Sequence, residues 1–557
     1  MLAKRVDTGP IHENPLSSHA VSLVRHWMAK CERKHTACFD HPTTLPTRVV
    51  DVRGSMLRLL DPSPLGPHQY IALSHCWGTC RSFLTTRGNL EDRKRGFLLQ
   101  ELPATFQDAI EVTRRLDVPY LWIDSICILQ GDQEDWEIEG SKMADVYANA
   151  TLTIAAANAS DDAEGFLKPR PRPPTLTIDI SLSHTNGTST GDSTTTRIYT
   201  RLPVEPKLLF PPLDGRAWCL QEQYLSPRVL WFGSDDLCWG CLGAGWFEDG
   251  RRLPKRKLQL QLPDVLPAVL EDGTLSHTRW YRMVELYTTR AITYAGDKLP
   301  ALSALASRVA QRSGDQYLAG SWRGDIFGGL LWYRQVRTSF RDGEPEAPFR
   351  GLARCAEPTY IAPTWSWASY HGAVGFVATF LETTPKVLPS ASVIDASVTV
   401  PGKDPFGQVQ SGFLLLGAEL LSFEPAEFDE EDPAVGSWLR NRMWCLEIED
   451  PDVDVVTTLD YHDEHASGYL MGVPLLYSKR ADVGRTNTPT DNLLECTDES
   501  ANKARKPVHV YGILLKAVGN GQESLFERVG AFEIRSIRLC DVNELLQNVG
   551  KSEIKII

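Results

Sequence analysis

The chain has 557 residues, a formal net charge of −13 at pH 7 and 42% hydrophobic residues. Because this length exceeds what one hydrophobic core usually serves, we expect several domains. The acidic balance argues against a surface that neutralises phosphates, so nucleic acid is excluded as an expected partner.

The start of the chain has no apolar segment of the signal-peptide kind, and no later run reaches the ~18 apolar residues that cross a bilayer. We therefore predict a cytoplasmic protein without a membrane span. The 12 cysteines are scattered along the chain, which in a reducing compartment favours buried thiols over a disulfide framework.

Residues 1–44 are predicted to form an N-terminal extension with a helix that begins near residue 17. The end of this helix carries a C-x3-H-x2-C-x2-H cluster composed of Cys31, His35, Cys38 and His41. These residue types suit zinc, but the spacing is not that of the common zinc fingers. We interpret the segment as a surface helix with a capped end and predict no metal site.

Residues 45–61 have the pattern of a short hairpin, and residues 70–78 read as an apolar strand followed by a polar loop. Ser74, His75, Trp77 and Gly78 would then lie at the carboxyl end of a strand, where parallel sheets bind ligands. Ser74 and His75 point to opposite faces of a strand, so they cannot form a nucleophile and base pair. Trp77 is predicted either to stack on a nucleotide base or to cover the core.

A helical pattern at 102–117, an apolar run at 120–128, a second helical pattern and an apolar run at 151–156 follow in turn. Strands that alternate with helices in this way predict a three-layer α/β fold with a parallel sheet and right-handed crossovers. Asp124 falls inside the run at 120–128. It is either a substrate-binding residue or a hydrogen-bonded buried acid, with the second interpretation slightly favoured.

The helix between these two runs carries an unusual acid. Trp136, Gly140, Met143 and Tyr147 recur at steps of three and four, which predicts a stripe that faces the sheet, and Glu139 lies on the same stripe. Glu139 is either a salt-bridged acid at the rim of the core or a functional carboxylate. The glycine at 140 lowers helix propensity and is consistent with close packing at this point.

Residues 168–200 lose this pattern and are interpreted as an exposed low-complexity insertion. A short helix is predicted at Arg216 to Glu222, followed by strands near 228–232 and around the C-x-x-C pair of Cys238 and Cys241. Arg216 and Glu222 either pair with each other or bind ligand. A lone C-x-x-C within a strand favours neither zinc nor redox chemistry.

The C-terminal half divides by pattern at about residue 380. Residues 251–380 combine two helical segments with an aromatic core that includes Trp322, Trp332, Trp365 and Trp367. Residues 381–557 contain short apolar runs separated by turn-rich or acidic loops, which predict a β-rich module.

The blocks YIALSHCWG, YLWIDSICILQ, DWEIEGSKM, VYANATLTIAAA and RAWCLQEQYLSPRVLWF occur in this order. Together they resemble the fungal heterokaryon-incompatibility (HET) domain, which we place at residues 45–250. The resemblance implies a role in non-self recognition and programmed cell death.

The HET domain is thought to be a distant relative of the TIR domain, so the resemblance also implies a flavodoxin/TIR-like fold. Some TIR domains cleave NAD with a glutamate in a W-x-x-E pattern, which Trp136 and Glu139 match here. The resemblance thus implies a candidate NAD glycohydrolase with Glu139 as the catalytic residue. NAD would be a substrate, and no cofactor or metal is implied.

Two further functions stay open at the sequence level. One is a non-catalytic signalling module that works by self-association or by binding a protein partner. The other is a cyclase-type or lyase-type enzyme of fungal secondary metabolism that uses the same crevice for a small molecule, because one fold supports many functions.

Overall fold

A computed structural model describes residues 11–38, 44–61, 68–78, 83–170, 175–183, 193–201, 212–252, 266–269, 275–335, 340–341, 344–345, 360–380, 386–388, 391–425, 444–445, 454–459, 470–479, 508–518, 525–537, 546 and 551–557. The chain forms two compact units, Met1–Leu262 and Pro263–Ile557. Among the described residues, no helix is long and apolar enough to cross a membrane.

The first unit contains alternating helices and strands. Its helices are α1 Ser18–Lys34, α2 Leu90–Arg95, α3 Ala104–Arg115, α4 Asp124–Cys127, α5 Gln133–Asn149 and α6 Ala217–Leu225. Its strands are β1 Val49–Asp51, β2 Met56–Leu60, β3 Tyr70–Ser74, β4 Phe97–Leu98, β5 Tyr120–Trp122, β6 Leu152–Ala155, β7 Thr175–Ser183, β8 Ser193–Arg201, β9 Arg228–Phe232, β10 Leu237–Cys241 and β11 Ala244–Phe247.

The main sheet of this unit has nine described strands in the order β11-β10-β9-β6-β3-β5-β1-β2-β4. The four central strands β9, β6, β3 and β5 are parallel, whereas the flanking strands are antiparallel. The prediction of an α/β sheet with a parallel centre is therefore confirmed, but the expectation of a wholly parallel sheet is wrong. Short loops join β1 to β2, β9 to β10 and β10 to β11, and such loops permit only antiparallel pairing.

The strands of the parallel centre are buried on both faces, as expected for strands covered by helices. Every residue of β3, β5 and β6 is buried. Helix α3 contributes Phe106, Ala109 and Ile110 to this core. The chain passes from β3 through α3 to β5 on one side, and then through α5 to β6 on the other side of β3. With right-handed crossovers, this reversal makes the carboxyl end of β3 the topological switch point of the sheet.

The predicted stripe of α5 is shifted from the observed one. The helix buries Glu139, Met143, Ala144, Val146 and Tyr147, but Trp136 is 37% exposed. The expectation that Trp136 faces the core is therefore wrong. Among the described residues, no atom outside the backbone of α5 lies within 4 Å of the place where a Cβ on Gly140 would be. The close packing expected there is therefore not found in this part of the chain.

Two strands lie in the insertion predicted at 168–200. Strands β7 and β8 form an antiparallel hairpin in full register from Thr175 opposite Arg201 to Ser183 opposite Ser193. The alternation of Leu176, Ile178 and Ile180 with polar residues is the period of a strand. The Thr-, Ser- and Gly-rich composition around residues 184–196 conceals this alternation in the sequence.

The second unit begins with helices and ends in a large sheet. Its helices are Thr278–Thr288, Pro300–Ser313, Ile326–Leu330 and Val377–Phe380. Short strand pairs lie at Ala268–Val269 with Leu275–Ser276, Tyr317–Leu318 with Ser321–Trp322, Trp332–Arg334 with Val374–Phe376, and Phe340–Arg341 with Glu344–Pro345. Trp322, Trp332, Trp365 and Trp367 are completely buried, which confirms the predicted aromatic core.

The β-rich C-terminal part is also confirmed. Its sheet has ten described strands, Lys386–Val387, Ser392–Thr399, Ser411–Glu419, Leu421–Pro425, Trp444–Cys445, Asp454–Leu459, Leu470–Lys479, Val508–Val518, Leu525–Ile537 and Lys551–Ile556. The pairs are antiparallel except for Leu525–Ile537 with Lys551–Ile556, which is parallel.

Candidate functional site

The candidate site lies around the loop that follows β3. Ser74 ends the strand and is fully buried, and His75 is 3% exposed. Trp77 is half-buried and Gly78 is exposed. Gly78 has a φ of +64°, and a Cβ there would lie 1.9 Å from an Asp161 carboxylate oxygen. Only glycine therefore allows the chain to turn at this point.

His75 contacts two acids from different loops. Its Nε2 lies 3.1 Å from Oδ1 of Asp162 and 3.9 Å from Oδ1 of Asp124. The ring of Phe106 packs edge-on against the imidazole at a centroid distance of 5.2 Å. Burial alone would lower the pKa of His75, but Asp124 and Asp162 outweigh it and raise that pKa above its ordinary value. His75 is therefore favoured as an imidazolium between two carboxylates.

Asp124 lies at the edge of the sheet and not within a strand. Strand β5 ends at Trp122, and Asp124 is the first residue of α4. Its Oδ2 accepts a hydrogen bond of 2.7 Å from Nε1 of Trp77, and its Oδ1 accepts one of 2.7 Å from the backbone N–H of Ser125. The expectation that Asp124 lies inside an apolar strand is wrong, because the chain turns into a helix after three strand residues.

Asp162 belongs to the same cluster, although the sequence analysis did not select it. The loop after β6 carries it, and the backbone N–H of Thr105, in the first turn of α3, donates to its carbonyl at 2.9 Å. Burial raises the pKa of Asp162, while His75 opposes that change. The signal that could have identified it is the polar run Asn158–Glu164, which follows the third strand of the parallel centre directly.

Helix α6 brings Arg216 and Glu222 to the cluster. Arg216 is the N-cap residue of the helix, and its guanidinium donates a hydrogen bond to the backbone carbonyl of His75. Glu222 is 5% exposed. Burial raises the pKa of its carboxyl, and the negative charge of Asp124 raises it further. Ser74, Arg216 and His75 lower this pKa but do not cancel the increase. Among the described residues, its Oε2 atom has no hydrogen-bond partner. A buried acceptor in this state is costly unless something binds it.

Glu139 lies outside this set of contacts. It is 3% exposed, and its Oε1 lies 3.1 Å from Nζ of Lys142, one helical turn further along α5. Lys142 also donates to Oγ1 of Thr47 at 2.9 Å, and 46% of its side chain is exposed. The contacts of the described residues thus connect Ser74, His75, Trp77, Asp124, Arg216 and Glu222 with one another, but they do not connect Glu139 or Trp136 with that group.

One group of side chains within the described part of the chain has a geometry that could hold a metal ion. It consists of Cys31, His35, Cys38 and Cys241, and it uses none of the residues of the sheet-edge cluster. In the sequence, the first three form a cluster with His41, which lies outside the described residues, whereas Cys241 belongs to the distant C-x-x-C pair.

Residues 70–222 match the model of the family described as "Heterokaryon incompatibility protein (HET)". The matched span starts at β3 and ends at Glu222, so it contains all nine residues selected from the sequence as site candidates. No curated protein and no solved structure matches the chain.

Proposed function

We propose that this chain, which contains a heterokaryon-incompatibility (HET) domain at residues 70–222, is an effector of fungal non-self recognition and programmed cell death whose HET domain binds a nucleotide at the sheet-edge cluster. The observation that carries the proposal is the set of buried charges at the carboxyl end of β3. This end is the switch point of the parallel strands, where α/β sheets bind ligands.

The order of the parallel strands supports a flavodoxin/TIR-like domain. Taken in chain order, β3, β5, β6 and β9 occupy the spatial order 2-1-3-4, which is how the flavodoxin-type order begins. Trp77, whose indole N–H donates to Asp124, supplies a ring on which a base can stack, and Asp124 supplies a carboxylate beside that ring for the hydroxyl groups of a ribose. A nucleotide fits this combination of groups.

The reaction implied by the family resemblance is hydrolysis of NAD. Nicotinamide is a neutral leaving group, so the reaction needs a carboxylate that stabilises positive charge on the ribose more than it needs an acid. Glu139 is the carboxylate that the W-x-x-E pattern proposes, and its Lys142 partner reaches it from the exposed side of the helix. Glu222, with its unpartnered oxygen, is the second acid to be tested.

The test is to incubate the purified full chain with NAD and to measure released nicotinamide by chromatography. We expect release by the unmodified chain and a loss of about 100-fold or more in Glu139→Gln, which is the usual effect of removing a group that stabilises transition-state charge. Glu137→Gln, two residues earlier on the same helix, is the matched control and should retain the rate.

Two alternative outcomes of this assay would change the proposal in different ways. Equal rates in the unmodified chain and Glu139→Gln, with a loss in Glu222→Gln, would transfer the catalytic role to Glu222. An absence of both nicotinamide release and NAD binding in calorimetry would contradict the nucleotide proposal.

A non-catalytic module that self-associates is the second candidate function. It is favoured by the closed Glu139–Lys142 pair and by the exposed apolar side chains of Trp136 and Ile138 on α5. For this function, toxicity on expression should survive Glu139→Gln and should disappear in a Trp136→Ser, Ile138→Ser double variant.

A further inference from the structure

Two segments that are distant in sequence bring four metal-ligand side chains together. Cys31 lies in the last turn of α1, His35 is the C-cap residue of that helix, and Cys38 ends the following 3₁₀ turn, Thr36–Cys38. Cys241 is the last residue of β10. One ligand atom from each of the four lies within 4.8 Å of all the others.

The distances suit a tetrahedral zinc ion. Bond lengths of about 2.3 Å to sulfur and about 2.0–2.1 Å to nitrogen give tetrahedron edges of roughly 3.5–3.8 Å. Within the cluster, Sγ of Cys241 lies 3.3 Å from Nδ1 of His35. A small outward shift would therefore admit the ion.

The local backbone holds the ligands in this arrangement. The N–H of His35 donates to the carbonyl of Cys31 at 2.9 Å, and the N–H of Cys38 donates to the carbonyl of His35 at 3.0 Å. These two hydrogen bonds wind the chain tightly at the end of α1. The three side chains of this segment can therefore converge on Cys241.

The turn after β10 completes the surroundings of the sulfur atoms. The N–H of Leu242 donates to the carbonyl of Pro227 at 3.3 Å, which fixes the chain directly after Cys241. A Cβ on residue 243 would lie 2.5–2.7 Å from the ring of His35, so glycine is required for the imidazole to fit.

We propose that Cys31, His35, Cys38 and Cys241 bind one zinc ion. Three sulfur donors and one imidazole match the preference of Zn²⁺, and four protein ligands leave no open position for a substrate, which is the property of a structural site. His41, the fourth member of the cluster considered from the sequence, is not a ligand in this proposal.

The ion would connect parts of the first unit that flank the matched HET span. Residues 70–222 include none of the four ligands, and His35 and Cys241 are 206 positions apart. The same two parts also touch through Trp27 and Trp239, whose ring centroids are 6.2 Å apart. The zinc ion would therefore cross-link α1 to the edge hairpin β10–β11 and stabilise the contact between the two ends of the first unit.

The test is to measure the metal content of the full chain, purified without chelator from zinc-supplemented cells, by elemental analysis. We expect about one zinc per chain. Cys241→Ser should lose it, and so should His35→Ala, whereas His35→Cys should retain it because four thiolates also bind zinc. Cys238→Ser is the matched control, since Cys238 is buried on the same strand against Phe247 and is not a ligand.

Cobalt provides a second readout that does not depend on how well a variant folds. The unmodified chain, stripped of metal and reloaded with Co²⁺, should show the intense visible bands of tetrahedral thiolate coordination. A chain without zinc that also gives only the weak spectrum of hydrated cobalt would overturn the proposal. So would a disulfide among Cys31, Cys38 and Cys241 in protein purified under reducing conditions, or zinc lost in His41→Ala but retained in Cys241→Ser.

Discussion

The side chain of Glu222 places a buried carboxyl in the candidate site. Its carboxyl is 5% exposed, lies in the field of Asp124 and has one oxygen without a partner among the described residues. A carboxyl in such surroundings destabilises the fold when it is ionised. This arrangement is the reason for testing Glu222 as a ligand-binding residue.

A pH-dependent stability difference follows from the raised pKa of Glu222. The folded chain holds this proton more tightly than the unfolded chain, so stability is lost as the pH rises from the ordinary carboxyl pKa to the raised one. Glu222→Gln mimics the protonated form. We expect it to increase the free energy of unfolding at pH 8 by about 1.4 kcal/mol for each unit by which the fold raises that pKa, and to have no effect below pH 4.

Urea unfolding at pH 4 and pH 8, followed by tryptophan fluorescence, measures this difference. Glu137→Gln, which replaces a half-buried acid of α5, serves as the control and should not reproduce the pH dependence. A Glu222→Gln variant that is less stable than the unmodified chain at pH 8 would show that its charge stabilises the fold.

At the scale of single elements, helix α5 differs in one respect from the prediction made from its sequence pattern. Its bounds, Gln133–Asn149, and its cap follow from the residues, because Asp132 accepts a hydrogen bond from the N–H of Asp135 at 3.2 Å. Its buried face was predicted less well. Trp136 lies at the margin of the stripe, and the end of the helix nearest the loops is the part that the core covers least.

Replacing Gly140 with alanine tests this description of α5. A Cβ at this position meets no described atom outside the helix backbone within 4 Å, and glycine inside a helix costs about 0.5–1 kcal/mol relative to alanine. We expect Gly140→Ala to raise the free energy of unfolding by that amount in a denaturant titration. Gly78→Ala should do the opposite, because Gly78 has a positive φ and the carboxylate of Asp161 occupies the place of its Cβ. A destabilised Gly140→Ala variant would indicate close packing at α5 after all.

At the scale of the whole molecule, the first compact unit extends beyond the residues that match the HET family on both sides. Helix α1 buries Ala20, Val24, Trp27 and Cys31, and it contacts β10. The predicted surface helix therefore packs one face on the main sheet of the first compact unit. The predicted division at residues 44 and 250 would separate this helix from the strand on which it packs.

Two fragments distinguish these boundaries. Residues 1–262 correspond to the first compact unit, and we expect this fragment to be recovered in soluble form with a cooperative thermal transition in circular dichroism. Residues 45–250 lack α1 and expose Trp239, which is completely buried in the full chain, so we expect aggregation or a broad transition. Equal cooperativity in the two fragments would indicate that α1 contributes little to the unit.

The sequence by itself determined the approximate positions of many strands and helices, because periodicity is a local property. The strand that begins at residue 70, the strand at 228–232, a helix between the runs at 120–128 and 151–156, and the β-rich C-terminal part were predicted from it. It also determined that Ser74, His75 and Trp77 follow a strand, and it carried the resemblance to the HET domain.

Only the tertiary structure decided which distant residues meet. Asp162 reaches His75, and Cys241 reaches Cys31, because sheet order brings together chain segments whose separation no local pattern encodes. The same holds for the antiparallel flanks of the sheet and for the shift of Trp136 toward solvent. Contacts of this kind depend on how strands and helices pack. The candidate nucleotide site and the proposed zinc site both consist of residues that this packing brings together.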